Sequence, residues 1–268
     1  MSIPKKIHYC WFGHNPKPKM AEKCLKSWKK FCKDYEIIEW NEDNFDISAC
    51  PLYVRQAYET KKWAFVTDYA RLKILYENGG IYFDTDVEII KNIDKFLDNQ
   101  CFMGIERPQI GNPNNINTGL GLGCVSEFTL IKEIMDDYND RAFINEDGSH
   151  NITTCTVLNT EVLKKHGYIN ENKFQMVAGA AIYPSEYFSP MDMDNGKMYI
   201  TRNTYTIHHY GLSWTTEEHR KERLRYLKKA KRADFVYNIK VMPNTILKKI
   251  LGEQRYKNLK NKFKKGDK

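Results

Sequence analysis

The feature that most constrains this chain is an amphipathic helix that stops at Gly79-Gly80 and gives way at once to Ile81-Tyr82-Phe83-Asp84-Thr85-Asp86-Val87. Phe65, Tyr69, Leu72 and Tyr76 recur at spacings of four, three and four, one face of a helix, and predict helix from about Val54 to Asn78. Glycine tolerates the left-handed conformation that ends helices. In the strand expected next, alternate side chains share a face, which puts Tyr82, Asp84 and Asp86 on one side and Ile81, Phe83 and Thr85 on the other. Two carboxylates so placed at the end of an apolar strand repel each other unless a cation lies between them. A hard divalent ion with oxygen ligands resolves that conflict.

The surroundings predict an α/β frame. Lys6–Phe12 reads as a strand, residues 19–32 as a helix and Tyr35–Trp40 as a second strand, a β-α-β opening that argues for a largely parallel sheet. Further strands are expected at 102–105, 118–125, 180–183 and 198–209, and helices at 127–139 and 155–166. The 268 residues suffice for one sizeable core with an appendage. Charge locates the boundary. Residues 215–268 hold 18 Lys/Arg against 6 Asp/Glu, a balance of +12; with +8 on the whole chain, residues 1–214 carry −4. The expected organisation is therefore a near-neutral α/β domain over 1–214 and a basic helical extension over 215–268, its two helices spanning about 216–232 and 244–264.

Several residues join Asp84 and Asp86 as site candidates. Asp68 and Arg71 lie three apart on the preceding helix, hence side by side, and the guanidinium fork suits a hydroxyl or phosphate oxygen. The bland alternative is a surface ion pair. Trp11 sits at the carboxyl end of the first strand, where open α/β sheets place ligands, whereas His8 falls on the opposite strand face and reads as structural. His208 or His209 offers an imidazole for Mn²⁺ or Mg²⁺; adjacent strand residues face opposite ways, so one at most ligates. Asn117 precedes Thr118-Gly119, where glycine permits close backbone approach. His150-Asn151 reads as a loop. No GxGxxG follows the first strand, which disfavours a Rossmann dehydrogenase, and Asp84–Glu88 lacks the spacing of a calcium loop.

The segment AFVTDYARLKILYENGGIYFDTDVE, with IPKKIHYCWFG, YEIIEWNEDNFD, INTG, IYPSEYF and TYTIHHYGLSW, resembles family 32 glycosyltransferases, the group with a sugar-binding region containing DXD. The likeness spans roughly residues 3–214 and makes the domain over 1–214 the catalytic domain. It is similar to bacterial capsular and lipopolysaccharide transferases and, more distantly, to the yeast outer-chain mannosyltransferase and the glucosylating domain of clostridial toxins. The resemblance implies a GT-A fold and retaining transfer from a nucleoside-diphosphate sugar, a UDP-sugar in the first instance, to a glycan or lipid-linked glycan acceptor in surface-polysaccharide synthesis. By the same resemblance Trp11 stacks on the base, Asp68 and Arg71 contact ribose and donor sugar, and Tyr82 lies beside the nucleotide. Asp84 touches ribose or sugar and the metal, and Asp86 ligates the metal directly. A late donor closes the metal site: His208 is preferred, with His209 and Ser213 as alternatives, and Trp214 joins the donor site. The rival reading is a catalytically inactive relative that binds nucleotide sugar or glycan.

The tail interleaves its basic residues with Leu224, Leu227, Ile246, Leu247 and Ile250. That pattern predicts an interfacial helix on anionic lipid rather than a nucleic-acid binder. The opening residues lack a signal-peptide apolar region, and the seven scattered cysteines read as reduced thiols. The expected location is the cytoplasm, at the inner membrane face.

Overall fold

A computed structural model describes residues 2–108, 114–211, 215, 217–241, 252 and 254–256, with side chains only as far as Lys229 in the last helix. The chain divides into two units, Met1–Thr216 and Glu217–Lys268.

The first unit is built around a mixed eight-stranded sheet. Its opening is the expected β-α-β unit: β1 (Lys6–Cys10), α1 (Lys19–Phe31) and β2 (Glu36–Trp40), with β1 parallel to β2. Helices α2 (Leu52–Glu59) and α3 (Trp63–Asn78) lead into β3 (Gly80–Tyr82), which pairs parallel with β1 on its other edge. A small outlying strand, β4 (Val87–Ile89), precedes β5 (Cys101–Ile105), β6 (Ile116–Asn117) and β7 (Leu122–Cys124). Helices α4 (Thr129–Asp136) and α5 (Cys155–Lys165) are followed by β8 (Gln175–Val177), β9 (Ala180–Tyr183) and β10 (Thr206–His208). The sheet order is β2-β1-β3-β7-β5-β9-β8, with β6 against β5; β10 pairs with β4 in a separate two-stranded ladder. The parallel and antiparallel pairings together make β1, β2, β3, β5 and β9 run in one direction.

Both faces of the sheet are covered, which makes the unit a three-layer α/β structure. The alternation in β3 decides which side chain goes where. Tyr82 packs with Val66, Tyr69 and Leu72 of α3, while Ile81 and Phe83 pack with Trp28 of α1 and with Phe96, Phe102 and Phe188. All seven cysteines are free and buried.

Four expectations need correction. The helix foreseen from 54 to 78 is two helices: Lys61 adopts φ +57°, a left-handed residue that breaks the hydrogen-bond ladder before Trp63 restarts it. Asp84-Thr85-Asp86 is not strand but a turn, closed by the Val87 N–H donating to the Asp84 carbonyl at 3.0 Å. Of the strand expected over 118–125 only β7 forms; residues 118–121 turn the chain back from β6, which lies just before that span. Of 198–209 only β10 is strand, paired with β4; Met198 makes no more than an isolated bridge to Met191.

The second unit contains α6 (Glu217–Val241), which extends beyond the first expected tail helix. Leu224 and Tyr226 are each 57% exposed on it. The second expected tail helix, at 244–264, lies almost wholly outside the described residues. Among those described, no helix is long and apolar enough to cross a membrane.

Candidate active site

Three of the strands that run together, β1, β3 and β5, deliver their carboxyl ends to one cavity of about 790 Å³. Trp11 follows β1, Asp84 lies just beyond β3, and Glu106 follows β5. The cavity is also lined by Asp68 and Arg71 of α3, by Tyr82, Asp86 and Asn117, by the start of α5, and by His208. Trp214 and Ser213 fall outside the described residues.

The two carboxylates reach this corner through the turn. The Asp84 N–H donates to the Gly119 carbonyl at 3.0 Å, and the backbones pass so closely that a Cβ on Gly119 would lie 1.9 Å from Asp84 Oδ2. Glycine is therefore required there. Asp84 Oδ1 accepts from Arg71 Nη2 at 3.0 Å and from the Tyr82 hydroxyl at 3.1 Å. Asp86 is held by the far end of the chain: Gly211 N–H donates to its Oδ2 at 2.6 Å, and His209 N–H donates to its carbonyl at 3.0 Å. The antiparallel β4–β10 ladder, with His208 opposite Val87, sets His208 Nε2 3.3 Å from Asp86 Oδ1. His209 faces the other way and contacts Glu88 at 2.8 Å.

Asp84, Asp86 and His208 each offer a ligand atom within 4.8 Å of the others. Two carboxylates and an imidazole suit Mn²⁺ or Mg²⁺. The buried His208 Nδ1 has no hydrogen-bond partner among the described residues, which leaves ring capacity uncommitted and fits a further ligand there. The local charges already favour a cation. Burial works to raise the Asp86 carboxyl, but His208 and the Gly211 amide outweigh it and hold it at about 2. Burial works to lower His208, and Asp86 more than compensates, so the imidazole is raised above its ordinary value.

Arg71 is not a surface ion-pair residue. Only 3% exposed, it forms ion pairs through Nη2 with Asp68 at 3.1 Å and with Asp84 at 3.0 Å, with its guanidinium 5.1 Å from the centre of the Tyr82 ring. Asp68 in turn accepts hydrogen bonds from the Cys155 amide and thiol at the start of α5. Burial raises the Asp68 carboxyl to about 6; Arg71 opposes this, but its charge is shared with Asp84, itself a repelling neighbour. Trp11 is half-buried on the cavity wall, its indole N–H donating to the Asn15 carbonyl at 2.6 Å. His8 lies outside the cavity. His150 stacks on Phe143, ring centroids 5.0 Å apart, and is also away from the cavity lining.

Residues 18–103 match the family described as the glycosyltransferase sugar-binding region containing the DXD motif. The matched segment holds Asp68, Arg71, Asp84 and Asp86 but not His208. An uncharacterised glycosyltransferase of Acanthamoeba polyphaga mimivirus is 25% identical over 223 residues, which cover 79% of this chain and 84% of the relative. Among solved structures, the PaToxG glycosyltransferase is 17% identical, covering 61% of this chain and 69% of its own, with a TM-score of 0.48. The galactosyltransferase LgtC, solved with donor and acceptor sugar analogues, is 14% identical, covering 85% and 95%, with a TM-score of 0.42.

The site thus brings together residues from α3, the turn after β3, and β10. Sequence reasoning missed Glu106, Thr118, Cys155 and Asn159. Asn159 donates to the Thr118 hydroxyl at 3.0 Å, and that hydroxyl also accepts from Arg71 at 3.3 Å. Glu106 had a readable signal: an acid at the carboxyl end of the apolar run CFMGI, the same placement as Asp84 after GIYF. The other three had none, because their roles come from tertiary contacts alone.

Proposed function

We propose that this glycosyltransferase moves a sugar, with retention at the anomeric carbon, from a nucleoside-diphosphate sugar, foremost a UDP-sugar, to a glycan acceptor of a bacterial surface polysaccharide. The observation that carries the proposal is the convergence of Asp84, Asp86 and His208 at one corner of a cavity large enough for a nucleotide sugar. In this reading those three residues hold Mn²⁺ or Mg²⁺. The bound ion would neutralise charge on the departing nucleoside diphosphate.

The chain's own groups do the remaining positioning. Trp11 offers an aromatic face for the base at the end of β1. Tyr82 and Arg71 fix the Asp84 carboxylate, so its free oxygen is aimed before any ligand arrives. Arg71 Nε, buried and without a hydrogen-bond partner among the described residues, leaves a donor for an oxygen of the donor sugar or phosphate. Asp68 ties the first turn of α5 to α3 and so shapes the wall on which Thr154, Thr156 and Val157 meet the substrate. The deciding assay is hydrolysis or transfer from a panel of nucleotide sugars with Mn²⁺. Turnover of at least one donor, abolished by EDTA and restored by Mn²⁺, supports the reading. Undiminished turnover after complete metal removal refutes its metal dependence. Binding without any turnover favours the inactive relative.

The domain boundary at 214/215 and the peripheral cytoplasmic location belong to the same proposal. The tail's +12 balance supports them, since each basic residue near an anionic bilayer contributes about 1 kcal/mol, falling with salt. Truncation after about residue 240 should spare hydrolysis of soluble donor while reducing transfer to a lipid-linked acceptor. Full-length protein that ignores anionic liposomes at low salt would end the docking idea.

A further inference from the structure

We infer that Glu106 is a positioning residue for the metal-binding turn, acting through Asn117 and Gly119. The inference rests on the metal reading above and adds a residue outside the DXD turn to it. Glu106 is 6% exposed and Asn117 is 7% exposed, and both line the cavity. Asn117 Nδ2 donates to Glu106 Oε1 at 3.0 Å. Asn117 Oδ1 then accepts the Gly119 N–H at 2.8 Å. The Gly119 carbonyl in turn accepts the Asp84 N–H at 3.0 Å. The chain of contacts therefore runs from the end of β5, through β6, to the first carboxylate of the turn.

The chemistry of the pair sets its direction. An ionised carboxylate only accepts hydrogen bonds, so it forces the NH₂ end of the Asn117 amide towards itself. The carbonyl end is thereby fixed on Gly119. Without Glu106 the amide is free to invert, which would set its NH₂ against the Gly119 N–H, donor against donor, and release the loop. Gly119 has no slack to absorb such a shift, because its Cα already lies where a Cβ would meet Asp84 Oδ2 at 1.9 Å and Asn117 Oδ1 at 3.1 Å. A displaced Gly119 must displace Asp84. The amide of Asn117 is thus engaged at both ends as a clamp, in addition to any contact it makes with the donor sugar.

The test is Mn²⁺ affinity, read by the electron paramagnetic resonance of free Mn²⁺, on full-length wild type, Glu106→Ala, Glu106→Gln, Asn117→Ala and the double alanine variant, each with its thermal midpoint. Partners that orient metal ligands cost about 10–100-fold in affinity when removed. Glu106→Ala and Asn117→Ala should each weaken Mn²⁺ by about tenfold or more, and the double variant by no more than either alone, because both break one chain. Glu106→Gln keeps an acceptor oxygen for Asn117 and should stay within about twofold of wild type. Should Glu106→Ala prove unfolded, Asn117→Ala beside Glu106→Gln carries the same test. Wild-type affinity in Glu106→Ala or Asn117→Ala overturns the inference, as do losses that multiply in the double variant. A Glu106→Gln loss as large as that of alanine would mean that Glu106 acts by charge and not by position. A wild type that binds no Mn²⁺ removes the metal reading itself, a result distinct from all of these.

Discussion

His8 and His208 are both buried, and both lie close to the β3 segment, yet their surroundings drive them in opposite directions. His8 stands at the back, the amino end of β3, where it sits on the neighbouring β1 away from the cavity lining. Its Nδ1 accepts from the Trp40 indole at 3.0 Å, so Nε2 carries the proton and donates to the Gly79 carbonyl at 3.0 Å. Desolvation dominates there, and the pKa falls to about 4. His208 stands in front, across the cavity corner from Asp86, and its pKa is raised. The first environment fixes a neutral ring that seals the backbone at Gly79-Gly80; a Cβ on Gly80 would lie 2.8 Å from His8 Nε2. The second concentrates negative charge around an imidazole with a nitrogen to spare. Burial alone does not tell a structural histidine from a ligating one; the partner does.

Substitutions should separate the two regions, with the largest losses at the front. Asp86→Ala removes the proposed ligand held by Gly211 and His208, and should lower kcat/KM by at least about 10³-fold with the thermal midpoint little changed, as steady-state assays and melting curves would show. A folded Asp86→Ala with wild-type turnover would erase the distinction between front and back. His208→Ala should weaken Mn²⁺ by at least about tenfold, measured by calorimetric titration. His8→Gln should leave Mn²⁺ affinity unchanged in the same experiment. Trp11→Ala should weaken donor binding by about 1–3 kcal/mol, roughly 5–150-fold in Kd, if the indole stacks on the base.

The back region has its own signature, in stability and not in activity. A histidine whose folded pKa is depressed leaves the unfolded chain binding more protons between its two pKa values. Its contribution is therefore present above about pH 6.5 and is lost as pH falls towards about 4. The loss amounts to at most about 3 kcal/mol. Denaturant titrations across that range should show a shallower acid slope for His8→Gln than for wild type. Identical slopes would mean that burial does not hold His8 neutral.

How much of this was legible depended on range along the chain. The helix–Gly–Gly–strand passage and the opening β-α-β unit were readable, because periodicity and glycine act locally. The strand alternation that divides Tyr82 from Ile81 and Phe83 held as far as Phe83. It failed at Asp84–Asp86, where the Gly119 carbonyl draws the backbone into a turn, and no periodicity in DTD announces that partner. The meeting of His208 with Asp86 depends on β10 pairing with β4 across more than a hundred residues, and only the resemblance suggested a late ligand. The break at Lys61 carries no Gly or Pro to announce it, and only the gap in apolar residues at Glu59-Thr60-Lys61-Lys62 marks it. Arg71 was readable as Asp68's neighbour, but its burial between Asp68 and Asp84 was not, since one of those partners lies beyond the helix.

In the proposed function the front corner binds a nucleotide sugar together with a divalent ion. The most direct measurement is the thermal midpoint of wild type and Asp86→Ala against a panel of nucleotide sugars, each with and without Mn²⁺. Ligand that binds the native state raises the midpoint by mass action, by about 2.7 kcal/mol of stability at a hundred times Kd. The predicted result is a rise for at least one donor in wild type that requires Mn²⁺ and is lost in Asp86→Ala. A rise of equal size in Asp86→Ala, or no rise with any donor, would contradict it.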